Sequence, residues 1–343
     1  MYSAFRIQNF RCFEDVALTD LARINLIGGQ NNTGKTSLLE AVMLHSGYID
    51  AFYLFRLEAT GDWESCFYNF DLKRVIKLQA DLRVLGSPQD KLESKILEIT
   101  EADLREESKV KSIPLPHITF SYPNVRVNPR SLKFSYDQSD YYMSTEMNSI
   151  TWSAPRKYPY TNFVSGFPRT SAEALNFAFT EIAKKAEIRE LLTETIAILE
   201  PRLTHIELLG GGRNLYGHIG LSQPVSLSHM GDGVSRLAEI MLMISANDNK
   251  FVCIEEIENG LHHSVLTKVW RAIYQAAVAF NVQIFATTHS DEMIQAAQEA
   301  FADDPAALRY YRLDRKKTGQ IKAVMYEPEI LEEAFLSDVE VRG

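Results

Sequence analysis

The sequence predicts an α/β fold: a largely parallel central sheet, antiparallel strands at the N-terminus, and an inserted α+β lobe that interrupts the core. Three observations carry this expectation. Beyond residue 203, short apolar strands alternate with amphipathic helices, an order that implies a parallel sheet covered on both faces. Near the N-terminus a glycine-flanked loop joins a strand to a helix. Between residues 46 and 165 the regularity is lost and then returns, so this stretch reads as a lobe inserted into one core made of residues 1 to 45 and 166 to 343.

In chain order, residues 5 to 10 and 23 to 28 read as strands, and 35 to 45 as a helix. The lobe opens with an aromatic-rich helical stretch at 48 to 70, followed by alternating segments at 75 to 84, 118 to 122 and 132 to 136. An amphipathic segment spans 171 to 199, opened by Thr170 with Glu173 three residues later as a capping box and closed by Pro201. One bent helix or two short ones fit it equally. Then come strands at 205 to 209 and 216 to 221 around a glycine-rich turn, a helix at 234 to 245 and an apolar strand at 251 to 254. A helix at 264 to 280, a strand at 282 to 287, a helix at 291 to 301 and β segments at 308 to 313 and 321 to 326 complete the chain.

With 343 residues, 45% hydrophobic and 24% charged, the chain can bury a large core. Its longest apolar runs, at 240 to 244 and 251 to 254, are too short to cross a bilayer, and the N-terminus shows no basic-then-apolar leader. A cytoplasmic protein without a membrane partner is expected. Cys12, Cys66 and Cys253 have neither metal-ligand nor disulfide spacing and read as small buried residues. A net charge of -9 argues against a sequence-blind nucleic-acid binder.

Chemistry concentrates in four segments. Gly29-Gln30-Asn31-Asn32-Thr33-Gly34-Lys35-Thr36, followed by Ser37, matches G-x-x-x-x-G-K-[ST] between a strand and a helix. Its glycines let successive N–H groups face a phosphate, the helix start adds partial positive charge, Lys35 reaches the β and γ phosphates, and Thr36 offers a hydroxyl to Mg²⁺. Phe251-Val252-Cys253-Ile254-Glu255-Glu256 is an apolar strand ending in two carboxylates, one able to hold hydrated Mg²⁺ and the next to polarise a water. The strand at 282 to 287 runs into Thr288-His289-Ser290, where an imidazole at the same sheet edge can bond a γ phosphate or that water. Ser228 to Gly233 is a glycine turn leading into a helix, which can offer N–H groups to an anion.

In this order and spacing the four segments resemble the ABC-type ATPase heads of the SMC, RecF and OLD group, and most of all the compact OLD-like AAA ATPases of bacterial defence loci. Ile7-Gln8-Asn9-Phe10-Arg11-Cys12-Phe13, the Asn31-Asn32 pair, Glu258-Asn259-Gly260-Leu261-His262 and the closing Glu340-Val341-Arg342 support the resemblance. It covers roughly residues 1 to 45 and 170 to 343. It implies ATP and Mg²⁺ as cofactors, Lys35 and Thr36 on phosphate and metal, Glu255 on metal, Glu256 as general base and His289 as switch histidine. It further implies residues 259 to 262 as a loop meeting a second subunit. The Ser228, Gly231, Asp232 and Gly233 turn would be a signature capping the partner's γ phosphate, with either Ser228 or Gly231 in the serine place. The expected assembly is a homodimer or higher oligomer that closes on nucleotide.

Absences separate the relatives. At about 1.5 Å per residue the 171 to 199 segment spans only about 43 Å, too short for an SMC coiled coil. Only 54 residues follow His289, which leaves no room for a Toprim nuclease, so a nuclease or toxin effector is expected to be a separate protein. The alternative is a RecF-like repair ATPase that binds DNA, for which Arg126, Arg130 and Lys133 are candidate contacts. A transporter subunit is disfavoured by the long lobe between phosphate loop and signature turn. A P-loop GTPase is disfavoured because no N-K-x-D motif occurs.

Overall fold

The computed structural model describes residues 1–46, 63–83, 92–102, 117–121, 130–136, 139–146, 149–153, 160–164, 179, 186–209, 214–246, 249–337 and 341. Its elements run β1 (Tyr2–Phe10), β2 (Phe13–Thr19), β3 (Ile24–Gly28), α1 (Lys35–His45), β4 (Ile76–Arg83), β5 (Leu92–Ala102), β6 (His117–Ser121), β7 (Arg130–Tyr136) and β8 (Ser139–Glu146). They continue with β9 (Ser149–Ser153), β10 (Tyr160–Val164), α2 (Ala186–Ala197), β11 (His205–Leu209), β12 (Asn214–His218), β13 (Val225–Ser226), α3 (Asp232–Ser245) and β14 (Asn249–Ile254). The last are α4 (Leu266–Ala279), β15 (Gln283–Thr287), α5 (Asp291–Ala300), β16 (Leu308–Arg315), β17 (Ile321–Tyr326) and α6 (Pro328–Leu336).

The chain divides into two compact units. The first comprises Met1–Leu21, Asn31–Pro159 and Leu313–Ala323. Its frame is an eight-stranded sheet in the order β2-β1-β4-β5-β7-β8-β9-β6, antiparallel at its paired edges. Alternation decides which face is buried: Phe5 and Ile7 of β1, Val16 and Leu18 of β2, and Ile76, Leu78 and Ala80 of β4 are all withdrawn from solvent. Helix α1 packs on β1 and β4 through Leu38, Leu39, Val42 and Met43. Each such side chain contributes about 1.5–3 kcal/mol on burial. The sequence expectation lacks β2, because Glu14 and Asp15 interrupt its apolar pattern; in the fold Asp15 is exposed and pairs with Arg6, while the adjacent Glu14 is half-buried and accepts from Gln320 Nε2 at 2.7 Å.

The second unit comprises Ala22–Gln30, Tyr160–Arg312 and Val324–Gly343. Its six-stranded sheet runs β10-β14-β15-β3-β16-β17, with parallel pairing from β10 through β16. β3 and β15 are buried along their whole length, as strands covered on both faces must be. Helices α3, α4 and α5 supply the covering core, in which Trp270 is fully buried and donates its indole N–H to the Met293 carbonyl at 3.2 Å. A small antiparallel sheet, β11-β12-β13, completes the unit.

The predicted α/β class with a largely parallel central sheet is the fold observed. Details differ for local reasons. β12 ends at His218 rather than 221, because Gly220 turns the chain at φ 80. α4 starts at Leu266, after a 3-10 turn over His263–Val265 capped by the His262 ring. Most of the expected helix at 48 to 70 lies outside the described residues, and its described end is two 3-10 turns, Trp63–Cys66 and Tyr68–Phe70, broken by Asn69 at φ 56. Of the 171 to 199 segment, α2 is described together with residue 179. β10, within the stretch read as an inserted lobe, pairs with β14 in the parallel sheet. Cys66 and Cys253 are buried and Cys12 is half-buried, none in a disulfide. Among the described residues no helix is long and apolar enough to cross a membrane.

At the end of α1, His45 lies between Tyr2 and Lys95. A carbonyl only accepts, so Nε2–H donates to the Lys95 oxygen at 3.0 Å and Nδ1 accepts from the Tyr2 hydroxyl at 2.6 Å. This is the neutral tautomer, and burial holds the imidazole down at about 4, below its usual 6.5. A depressed pKa means the unfolded chain takes up this proton first. The contribution is therefore complete above about pH 6.5 and declines, by up to about 1.4 kcal/mol per pH unit, as the pH falls toward 4. Urea unfolding at about pH 7 and about pH 5 should show a larger loss for the wild type than for His45→Gln.

Candidate functional site

Parallel register brings the chemical segments to one edge of the second unit's sheet. Ile254 lies level with Ala286, and Thr287 level with Ile27. The C-terminal ends of β14, β15 and β3 therefore coincide. Glu255 and Glu256 leave β14 there, Thr288 and His289 leave β15, and Gly29 and Gln30 leave β3.

Glu256 is the most constrained of these residues. Its backbone sits at φ 47, the left-handed region that a non-glycine residue occupies only when its neighbours hold it. Its N–H donates to Thr287 Oγ1 at 3.0 Å, and the next N–H, of Ile257, donates to the Thr287 carbonyl at 3.0 Å. The carboxylate is aimed as well: Asn259 Nδ2 donates to Oε2 at 2.7 Å, and His289 Nε2 lies 3.7 Å from Oε1. Glu258 fixes the histidine's backbone by accepting the His289 N–H at 2.6 Å. Both Glu256 and His289 keep more than a third of their side-chain surface in solvent, so a water can reach the pair.

The Ser228 to Gly233 turn belongs to the same unit. Ser228 and Gly231 are exposed, with the Ser228 hydroxyl 2.8 Å from Ser226 Oγ. Gly231 adopts φ 110, and Asp232 opens α3 without any side-chain cap. Gly233 has no room for a side chain: a Cβ there would lie 2.4 Å from the Gly260 carbonyl oxygen, so the turn and the 259 to 262 loop are in backbone contact. One helical turn on, buried Arg236 donates through Nη2 to the Glu255 carbonyl at 2.5 Å and through Nη1 to Glu239 at 3.3 Å.

In the first unit, Asn31 to Ser37 continue the loop into α1. Asn32 and Gly34 take positive φ of 62 and 93, as Gly29 does at 134. A Cβ on Gly34 would meet Cys12 Sγ at 2.5 Å and the Phe13 ring at 2.8 Å, so glycine is required by space as well as by φ. No side chain caps α1. Lys35 and Thr33 are buried, while Asn31, Asn32 and Thr36 are exposed. Of the candidate DNA contacts, Arg126 lies outside the described residues, and Arg130 and Lys133 fall on β7.

Sequence reading missed the supports: Thr287 and Glu258, which hold Glu256 and His289, and Arg236, which ties α3 to the carboxylate strand. Arg236 had a readable signal, a cation three residues before Glu239 on the largely apolar buried face of its helix. Thr287 had none.

A family described as "AAA domain, putative AbiEii toxin, Type IV TA system" matches residues 24–294. The chain belongs to this family of AAA domains and is an AAA-type ATPase. A protein of Helicobacter pylori named ATP/GTP phosphatase is 23% identical over 331 residues, covering 86% of this chain and 87% of its own length. The SMC head domain of Thermotoga maritima is similar in structure at TM-score 0.52 and 10% identity, with 95% of this chain and 99% of that one covered. The Smc head domain of Pyrococcus furiosus, solved bound to the C-terminal domain of ScpA, reaches TM-score 0.57 at 12% identity, covering 98% and 99%. These similarities make the fold that of an ABC-type ATPase head.

Removing the Arg236 guanidinium deprives buried Glu239 of a partner and the Glu255 carbonyl of its donor. Arg236→Leu should therefore cost about 3 kcal/mol, read as a lower urea midpoint at unchanged slope.

Proposed function

We propose that this chain binds ATP with Mg²⁺ where β3, β14 and β15 end, and hydrolyses it with Glu256 as general base. The observation that carries this reading is the aimed carboxylate: a Glu256 held at positive φ, bonded by Asn259 and faced by His289, yet open to water. A carboxylate fixed in this way can accept a proton from water, and the imidazole can hold that water or a phosphate oxygen.

The phosphate loop suits a polyphosphate. Positive φ at Gly29, Asn32 and Gly34 turns the backbone into an anion-accepting curl at a helix start, and Lys35 supplies a point charge. Mg²⁺ is held by phosphate oxygens, waters and one or two protein groups, a role assigned here to Thr36 and Glu255. Bound Mg²⁺ would neutralise charge developing on the phosphate oxygens. The exposed turn from Ser228 to Gly233 and the loop from Asn259 to His262 are assigned to a second copy of the chain, each turn capping the nucleotide held by the other. Residues 46 to 159 are assigned to partner recognition, since β10 belongs to the parallel sheet.

In this reading nucleotide-driven closure of a homodimer controls a separate nuclease or toxin effector in bacterial defence. It is supported by the OLD-like motif order and by a family description that names a toxin system.

Lys35→Ala should weaken binding of a fluorescent ATP analogue by at least about 30-fold, because charge-assisted bonds to phosphate are lost. Glu256→Gln should bind ATP normally while hydrolysis falls about 100- to 10,000-fold, since an amide cannot take the proton. Light scattering with ATP and Mg²⁺ should show more dimer for Glu256→Gln than for the wild type. Wild-type turnover in that variant would remove Glu256 from the role of base.

A further inference from the structure

We propose that Arg315 is a positioning residue for the phosphate loop, fixing the Asn32–Thr33 peptide so that its N–H serves the bound phosphate; this rests on the ATP-binding reading above. Arg315 closes β16 and belongs to none of the motifs. Its Nη2 donates to the backbone carbonyl of Asn32, and its Nη1 faces the Gly319 carbonyl at 3.5 Å. All three residues lie in the first unit.

The guanidinium is presented by a tight hairpin. Lys316 N–H bonds the Gln320 carbonyl at 2.8 Å, Gly319 N–H bonds the Lys316 carbonyl at 2.9 Å, and Gly319 makes the turn at φ 89. Gln320 Nε2 then donates to Glu14 Oε2 at 2.7 Å, which anchors the hairpin to β2. Arg315 therefore reaches the loop from a braced support.

What it grips is the least self-sufficient point of the loop. Asn32 is exposed and holds φ 62 without being glycine, a conformation that asparagine tolerates but must be held in. In a trans peptide the carbonyl and the following N–H lie in the peptide plane and point in opposite directions within it. Holding the Asn32 carbonyl toward the guanidinium turns the Thr33 N–H away from it, and it takes up the carbonyl dipole that would otherwise oppose an anion. A lysine also has several N–H donors, but all on one nitrogen, and it lacks the planar fork whose separate nitrogens face two carbonyls. The cation also adds positive charge beside the loop of a chain whose net charge is -9.

The test compares Arg315→Ala, Arg315→Lys and Lys316→Ala in the full chain, using a fluorescent ATP analogue for Kd, steady-state turnover for kcat and thermal melting without nucleotide. Arg315→Ala should raise Kd about 10-fold, with kcat at saturating ATP within about twofold of wild type and the nucleotide-free Tm unchanged. Arg315→Lys should recover part of the affinity, and Lys316→Ala, which removes the same charge from the same hairpin, should leave Kd unchanged. Wild-type affinity in Arg315→Ala overturns the assignment. So does equal weakening by Lys316→Ala, which would reduce the effect to bulk charge, or a loss of affinity matched by a loss of nucleotide-free stability in both Arg315 variants. A wild-type chain that binds no ATP analogue overturns the ATP reading itself, and that outcome is distinct from the others.

Discussion

The parallel pairing of β14 with β15, and of β15 with β3, is the constraint on which the rest of this molecule depends. A parallel strand can be joined to its neighbour only by a crossover; α4, its inner face buried in the core, is the one between β14 and β15, whereas β3 and β15 meet from opposite ends of the chain. The register that results, Ile254 with Ala286 and Thr287 with Ile27, decides which residues leave the sheet together. Slip one strand by a residue and its side chains exchange faces. Thr287 would then no longer offer its hydroxyl to the Glu256 N–H, and the strained turn at Glu256 would lose its support.

A second set of contacts joins α3 to that edge. Arg236 bonds the Glu255 carbonyl, and the Gly233 backbone touches the carbonyl of Gly260. Any shift of the Ser228 to Gly233 turn must therefore be felt by the residues that follow the carboxylates. If the proposed dimer closes over nucleotide, these two links connect the Ser228 to Gly233 turn of each chain to its own carboxylate strand. Neither involves a flexible side-chain tip, since Arg236 is buried and the glycine contact is backbone.

Much of this was legible before the fold was known. Strand–loop–helix order around Lys35 and the alternation after residue 203 defined the α/β class, because buried parallel strands read as apolar runs with chemistry at their ends. Helix α1 and strand β17 have the boundaries the sequence implied. Less visible was anything set by pairing across distance. The extension of the β1–β2 hairpin through β4 to β9 into one antiparallel sheet depends on partners far apart in the chain, and β2 was masked by the adjacent acids Glu14 and Asp15. At the candidate site, the charged and glycine positions were readable by type and spacing, whereas the roles of Thr287, Glu258 and Arg315 rest on hydrogen bonds to backbone that no residue pattern announces.

The central claim is that nucleotide is held where the parallel strands end. Amide hydrogen exchange of the full chain, with and without Mg²⁺ and a non-hydrolysable ATP analogue, tests it directly, because each segment at that edge has its own backbone amides to report. The account predicts slowed exchange in residues 29 to 37, in 255 to 262 and in 287 to 290, with the 228 to 233 turn joining them as dimer forms. Unchanged exchange in residues 29 to 37, or protection confined to segments away from this edge, would contradict it.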